Sequence, residues 1–361
     1  MLTPLTEPHP ATAGGAARDD VHTDGSHRAT RATCEAVLRI LLPYRRALEA
    51  PHSPHHRRGP HGAAARDDVP AAFPAQLRQL APWVAAGEPI RFTLPGFPCK
   101  SPNPAKVLGT VPDEGERLAL RFLDRLCTRI EAVHPPGARV VICSDGHVFS
   151  DLIRVPDTDI DAYGDGLRAM IRDEGLAARL GVFDLRAAYG DLPYAAKRAR
   201  IQEAHAPTPE ELRAETRGDE AARRLYQGIT RFLFEDTDLA SYPGTRSALQ
   251  RDCRARAYGV IRRSRAWGGL IDEHHPGAVR LSIHPQPRGS AKFGIRLLEA
   301  PDAWLTPWHA CVLEHPDGRV ELLRRADAEA RGRLVVRAGR PSHFAVARTG
   351  RAAGTGPAAT G

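Results

Sequence analysis

The sequence predicts an α/β fold with a mostly parallel central sheet, extra helices and a β-rich carboxyl-terminal part. Three observations predict it. Amphipathic helical segments alternate with short apolar runs, the pattern of helices covering a sheet. The run "ARVVIC" (138–143) is continuous rather than alternating, as in a strand buried on both faces. The last third carries four strand-like runs with little helical periodicity.

The elements follow in chain order. "CEAVLRILLPYRRALE" (34–49) reads as a short amphipathic helix broken at Pro43. "PDEGERLALRFLDRLCTRIEAV" places Leu118, Phe122, Leu126, Ile130 and Val133 at helical spacing, with Asp113 and Glu116 set as a capping box. "PPG" stops that helix before the buried strand. "DIDAYGDGLRAMIRDEG" reads as a helix and "LGVFDL" as a strand. Two long helices are expected over 209–234 and 245–271. The strands "AVRLSIH", "FGIRLLEA", "WHACVLEH" and "RVELLRR" follow, with "PDG" as a hairpin turn between the last two. No internal repeat is apparent.

The organisation expected is a disordered tail over 1–30, a short helix and His/Pro/Arg-rich linker over 31–76, one domain over 77–348, and a disordered tail over 349–361. No run of about 18 apolar residues exists, and the amino terminus has no basic start or apolar h-region. A cytoplasmic protein is expected, with six scattered cysteines kept as thiols. The net charge of +8 and pI near 9.5 come from charges of both signs interleaved along helices, which suits anionic small molecules better than nucleic acid. Neither nucleic acid nor a membrane is expected as a partner.

Lysine is rare: it occurs only at Lys100, Lys106, Lys197 and Lys292, while the other 47 of the 51 basic residues are arginines. An ammonium kept in such a chain points to a task a guanidinium cannot perform. Two of the four lie in "PGFPCKSPNPAKVLG" (95–109). There Lys100, Ser101, Asn103 and Lys106 offer the donors that hold a phosphate or carboxylate; the alternative is a rigid proline-rich surface loop. "CSDGHVFSD" (143–151) brings Asp145, His147 and Asp151 to the end of a strand, where ligands meet open α/β sheets; the alternative is a capped turn. "LSIHPQPRGSAKFGIRL" (281–297) holds His284, Ser290, Lys292 and Arg296, with His284 suited to moving a proton near neutrality.

Other motifs fail. "DTDIDAYGDGLR" has Ala162 and Arg168 where a calcium loop requires Gly and Glu. "HPD" (315–317), with His343 downstream, has the form of an iron triad but reads as the hairpin turn. No G-x-G-x-x-G after a strand, Walker loop or G-x-S-x-G is present. No metal or cofactor is expected.

The order of "FPCKSPNPAKVLG", "PDEGERLAL", "ICSDGHVFSD", "RLSIHPQPRGSAKFGIRL" and "WLTPWHACVLE" resembles the isocyanide (isonitrile) synthase family, the pyoverdine/dityrosine biosynthesis proteins. The resemblance spans roughly 91–313. It implies a Rossmann-like core and a cofactor-independent lyase-type reaction of secondary metabolism. In that reaction the amino group of an L-amino acid, usually tyrosine or tryptophan, becomes an isonitrile, its carbon coming from ribulose 5-phosphate. The expected partners are these two small molecules and a downstream oxygenase of the same pathway. Against that chemistry, Lys100, Ser101 and Lys106 are expected at the phosphate or sugar. Asp145 and Asp151 would anchor hydroxyls or take protons, His284 would shuttle them, and Lys292 with Arg296 would form a second anion site. Trp267, Trp304, Trp308, Phe149 and Tyr163 are the aromatic residues from which an amino-acid pocket could be drawn, each equally a core residue. Two alternatives stand: another phosphosugar- or amino-acid-modifying enzyme on this scaffold, and a non-catalytic binding protein of a biosynthetic cluster.

Overall fold

The computed structural model describes residues 16–47, 72–300 and 305–347. A five-stranded sheet, parallel throughout, forms its centre in the order β3-β2-β1-β4-β5. Its strands are β1 (Ile90–Pro95), β2 (Ala138–Cys143), β3 (Leu180–Phe183), β4 (Val279–Ser282) and β5 (Lys292–Gly294). The chain winds outward from β1 to β2 and β3, then returns to the other side of β1 for β4 and β5. The reversal falls between β1 and β4, where ligands gather at the carboxyl ends of open parallel sheets. The fold is Rossmann-like α/β, as the alternation of elements predicts.

Helices α1 (Ala16–Leu41), α2 (Pro74–Ala86) and α3 (Glu114–Glu131) share one large apolar core with β1, β2 and β4. The predicted capping box on α3 forms: Asp113 Oδ1 accepts from the Gly115 amide at 2.8 Å and Glu116 Oε2 from the Asp113 amide at 3.0 Å. Helices α4 (Gly146–Ile153), α5 (Asp157–Asp173), α6 (Leu185–Tyr189), α7 (Tyr194–His205), α8 (Pro209–Gly218), α9 (Glu220–Glu235) and α10 (Arg246–His274) follow. Leu270 and Trp267 of α10 pack with Ile201 of α7 against Cys143 and Phe183.

A second, mixed sheet lies towards the carboxyl end, in the order β7-β6-β9-β8. It comprises β6 (Cys311–Glu314), β7 (Val320–Leu323), β8 (Arg333–Arg337) and β9 (Arg340–Ala345), with α11 (Arg325–Arg331) between β7 and β8. The β6–β7 hairpin turns at "PDG" with Gly318 at φ 82°, a left-handed conformation that suits glycine.

Three expectations are revised. Helix α1 begins at Ala16, inside the stretch whose composition reads as a tail, because the packed end (Cys34, Val37, Leu38, Leu41) nucleates a helix that then propagates. The helix expected over 209–234 is two, split where Asp219 caps α9 by accepting from the Ala222 amide at 2.7 Å. After Leu41 the chain does not continue as helix: residues 42–44 form a 3-10 turn, and Arg45 and Ala47 then bridge to Ile295 and Gln286 along the outer edge of β5. The linker from 48 to 71, Trp304 and the tails at 1–15 and 348–361 lie outside the described residues.

Two glycines mark where the site is tightly folded. A Cβ on Gly146 would stand 2.1 Å from the Pro98 carbonyl oxygen, and one on Gly294 would stand 2.4 Å from that of Arg46. At Gly146 the post-β1 loop crosses the post-β2 turn, and Ser144 Oγ donates to Phe97 O at 2.8 Å across the same crossing. Phe97 is held at φ 54°, unfavourable for an aromatic residue, with its ring against Trp308. Gly146→Ala is therefore expected to cost about 2–3 kcal/mol in urea unfolding through overpacking; an unchanged midpoint would show the crossing to be loose.

Candidate active site

The three strand-end loops converge at the carboxyl edge of the sheet, but their polar residues do different work. Lys100 faces inward. Its Nζ lies 2.7 Å from Glu116 Oε2 and 2.8 Å from Asp113 Oδ2, and donates to the Pro307 carbonyl at 3.0 Å. These three contacts use all three ammonium donors. Burial opposes the charge, but Glu116 and Asp113 outweigh it and hold the Lys100 pKa above its ordinary value. Tyr163 extends the cluster by donating to Glu116 Oε1 at 3.1 Å.

Ser101, Asn103 and Lys106 grip the end of α9. Ser101 Oγ donates to Asp236 Oδ1 at 2.5 Å, Lys106 Nζ pairs with the same oxygen at 2.8 Å, and Asn103 Nδ2 donates to Glu235 O at 3.3 Å. The His309 Nε2 lies 3.7 Å from that oxygen, and its Nδ1 is 3.1 Å from Thr306 Oγ1. Burial pushes the Asp236 carboxyl up, but His309 and Lys106 prevail and bring it down to about 2. Lys106 keeps partial access to solvent, over the exposed ring of Phe232. The other face of this loop borders a cavity of about 250 Å³, below the size that encloses a drug-sized ligand.

Asp145 stands apart. It follows β2 directly, is half-buried, and has no ion pair or side-chain hydrogen bond among the described residues. Burial, only partly offset by a backbone hydrogen bond, pushes its carboxyl up to about 7. His284 follows β4, and its ring is exposed although surrounding protein desolvates it. The side chain is crowded by protein yet accessible. Desolvation first, then the charges of Arg46, Lys292 and His309, lower its pKa. Because β2 and β4 flank β1, the two groups leave the sheet about 10 Å apart. Thr93 is in register with both Val141 and Arg280, so Asp145 and His284 each lie four residues beyond matched positions, just past the carboxyl ends of their strands.

The remaining expected residues have other partners, and only Lys292 bears on His284, through its charge. Asp151 binds Arg263 through both oxygens, one at 2.9 Å, tying α4 to α10. Burial raises its pKa, but the Arg263 and Arg198 guanidinium groups bring it below the ordinary value. His147 is buried, stacked on Tyr194 at 3.8 Å and 3.2 Å from Asp161. Ser290 closes a turn by donating to Gln286 Oε1 at 3.0 Å. Lys292 is exposed at the amino end of β5 beside Arg280. Arg296 reaches away to the Pro43 carbonyl at 2.6 Å. Trp308 and Tyr163 are buried in the large core, and Trp267 is buried in a smaller cluster against which Phe149 packs. Sequence reading missed Arg46, Asp236 and His309. Only His309, inside the "TPWHAC" segment of the resemblance, carried a signal.

The sequence profile of the pyoverdine/dityrosine biosynthesis proteins matches residues 80–336. The chain belongs to that family. An L-tyrosine isonitrile synthase of Pseudomonas aeruginosa is 44% identical over 312 residues, covering 85% of this chain and 92% of its own. L-tryptophan isonitrile synthase AmbI2 of Fischerella ambigua is 41% identical over 271 residues, covering 74% and 81%. The crystal structure of the PvcA protein from Pseudomonas aeruginosa superposes with a TM-score of 0.78 at 42% identity, over 87% of this chain and 100% of that one.

Two stability measurements separate framework from site. Lys100→Met leaves Asp113 and Glu116 buried without their cation, and a loss of about 3–5 kcal/mol is expected in chemical unfolding. A smaller change would show that the carboxylates find other partners. Asp236 has a folded pKa below its unfolded value, so its contribution is complete above about pH 5 and vanishes as pH falls through about 2. Asp236→Asn should therefore be less stable than the parent by about 2 kcal/mol at pH 6, with the gap closing on acidification. A constant gap would remove the ionic account.

Proposed function

We propose that this protein is an isonitrile synthase. It converts the amino group of an aromatic L-amino acid, tyrosine or tryptophan, to an isocyanide for secondary metabolism, with ribulose 5-phosphate as carbon donor. The observation that carries this reading is Asp145, unpaired among the described residues, and the accessible His284, each just past the carboxyl end of a strand flanking β1, in a chain more than 40% identical to synthases of both amino acids.

The chemistry asks for proton transfers. The amine attacks the C2 ketone of the donor to give a carbinolamine, and loss of water from it gives an imine. Both steps move protons near neutral pH, as do the later cleavages of sugar carbon–carbon bonds. A carboxyl near 7 can give or take a proton there, and a neutral imidazole can accept one. Asp145 is the group that exchanges protons with the amine and the carbinolamine hydroxyl, and His284 the base across β1 from it. Lys106 is the loop cation still open to solvent and is the phosphate contact. Lys100 and Ser101 act indirectly, by fixing the loop that carries it. Lys292, beside Arg280, remains a second anion site. A downstream oxygenase would consume the isonitrile.

Incubation with L-tyrosine or L-tryptophan and ribulose 5-phosphate should yield the isonitrile by infrared absorption and mass spectrometry. Asp145→Asn and His284→Gln should each lower turnover at least about 100-fold while remaining folded. Absence of product from a panel of amino acids would leave a binding protein as the better reading.

A further inference from the structure

A residue outside the family-matched span binds the backbone beside His284. After α1, the segment 45–47 runs along β5: the Arg46 amide donates to Gly294 O at 2.9 Å and the Gln286 amide to Arg46 O at 3.2 Å. From this anchored backbone the Arg46 side chain, 7% exposed, turns inward. Its Nη1 donates to the Ile283 carbonyl at 2.6 Å and its Nη2 to that of Leu305 at 3.1 Å. Ile283 immediately precedes His284, and Leu305 precedes the Thr306–His309 turn. One guanidinium thus binds both segments that bring imidazoles to the site. The planar fork suits this double contact, which a lysine could not reproduce. The close approach at Gly294 is what lets the segment lie flat enough for the side chain to reach.

We infer that Arg46 is a positioning residue of the active site, clamping the His284 and His309 segments together through their backbone carbonyls. The inference rests on the reading of His284 as an acid–base group. Three cations bear on that imidazole: Arg46 from the amino-terminal segment, Lys292 from β5 and His309 from the 3-10 turn. Arg46 is the most buried of the three, so its charge, which disfavours a second proton on His284, is the least screened by solvent and salt.

The test uses the full chain labelled with 15N-histidine, the His284 signal being identified by its loss in His284→Gln. Arg46→Met, or Arg46→Gln if the first does not fold, should raise the His284 titration midpoint by about half to one pH unit. The acidic limb of kcat/KM should move up with it. Arg46→Lys should keep the midpoint within about 0.2 unit, because the charge stays, yet lose about tenfold in kcat, because the double carbonyl contact is gone. An unmoved midpoint in the uncharged variants overturns the inference, as does full kcat in Arg46→Lys. The ring titration needs no turnover: a shifted midpoint in a protein that makes no isonitrile sinks the proposed reaction and leaves the electrostatic assignment standing.

Discussion

The arrangement depends on one buried ion cluster, Lys100 with Asp113 and Glu116. Its members come from the loop after β1 and the start of α3, and it reaches the Pro307 carbonyl and the Tyr163 hydroxyl on α5. Four separate stretches of chain are fixed around one ammonium. Three charges taken out of water are costly, and apolar residues of similar size often serve stability as well. What apolar residues could not supply is direction. The cluster determines which way residues 97–101 leave the sheet, and so where Ser101 and the loop behind it meet α9.

From that anchor the site is assembled in tiers. The inner tier is ionic and saturated. The middle tier, centred on Asp236, joins the loop to α9 and to His309. The outer tier is left incomplete: among the described residues Asp145 has no cation to hold its proton off, and His284 stands among positive charges that disfavour a second proton. Groups with satisfied partners make structure, while groups whose partners are missing can meet a substrate. The site differs from its surroundings in that respect more than in residue type.

Much of the fold was legible in the sequence because it is written in local patterns. The capping box at Asp113 and Glu116, the buried run of β2 and the turn at Gly318 each follow from residue spacing. Helix α7 was not legible, since it buries only Lys197 and Ile201 and shows no apolar stripe. Strand β9 was hidden by Pro341 and by the buried His343, which pairs with Glu314 at 3.0 Å, a partner no sequence pattern announces. In the site, the scarcity of lysine rightly drew attention to the loop after β1. It could not separate Lys100, enclosed by acids at the start of a helix whose cap lies thirteen residues later, from the accessible Lys106. Asp145 was visible because strand-end position is a topological property. Arg46 was invisible: one arginine among 47, made particular only by a long-range bridge along β5.

That bridge also bears on how the edge of the central sheet is covered while the chain folds. A three-residue outer strand such as β5 presents unpaired amides and carbonyls to any passing extended chain. Here the amino-terminal segment occupies that margin, pairing through Arg45, Arg46 and Ala47. During synthesis this cover is made before the strand it protects, so it must wait, unpaired, until β5 emerges some 245 residues later. The order favours a sheet whose last-formed margin is capped at once, leaving little time for intermolecular strand pairing.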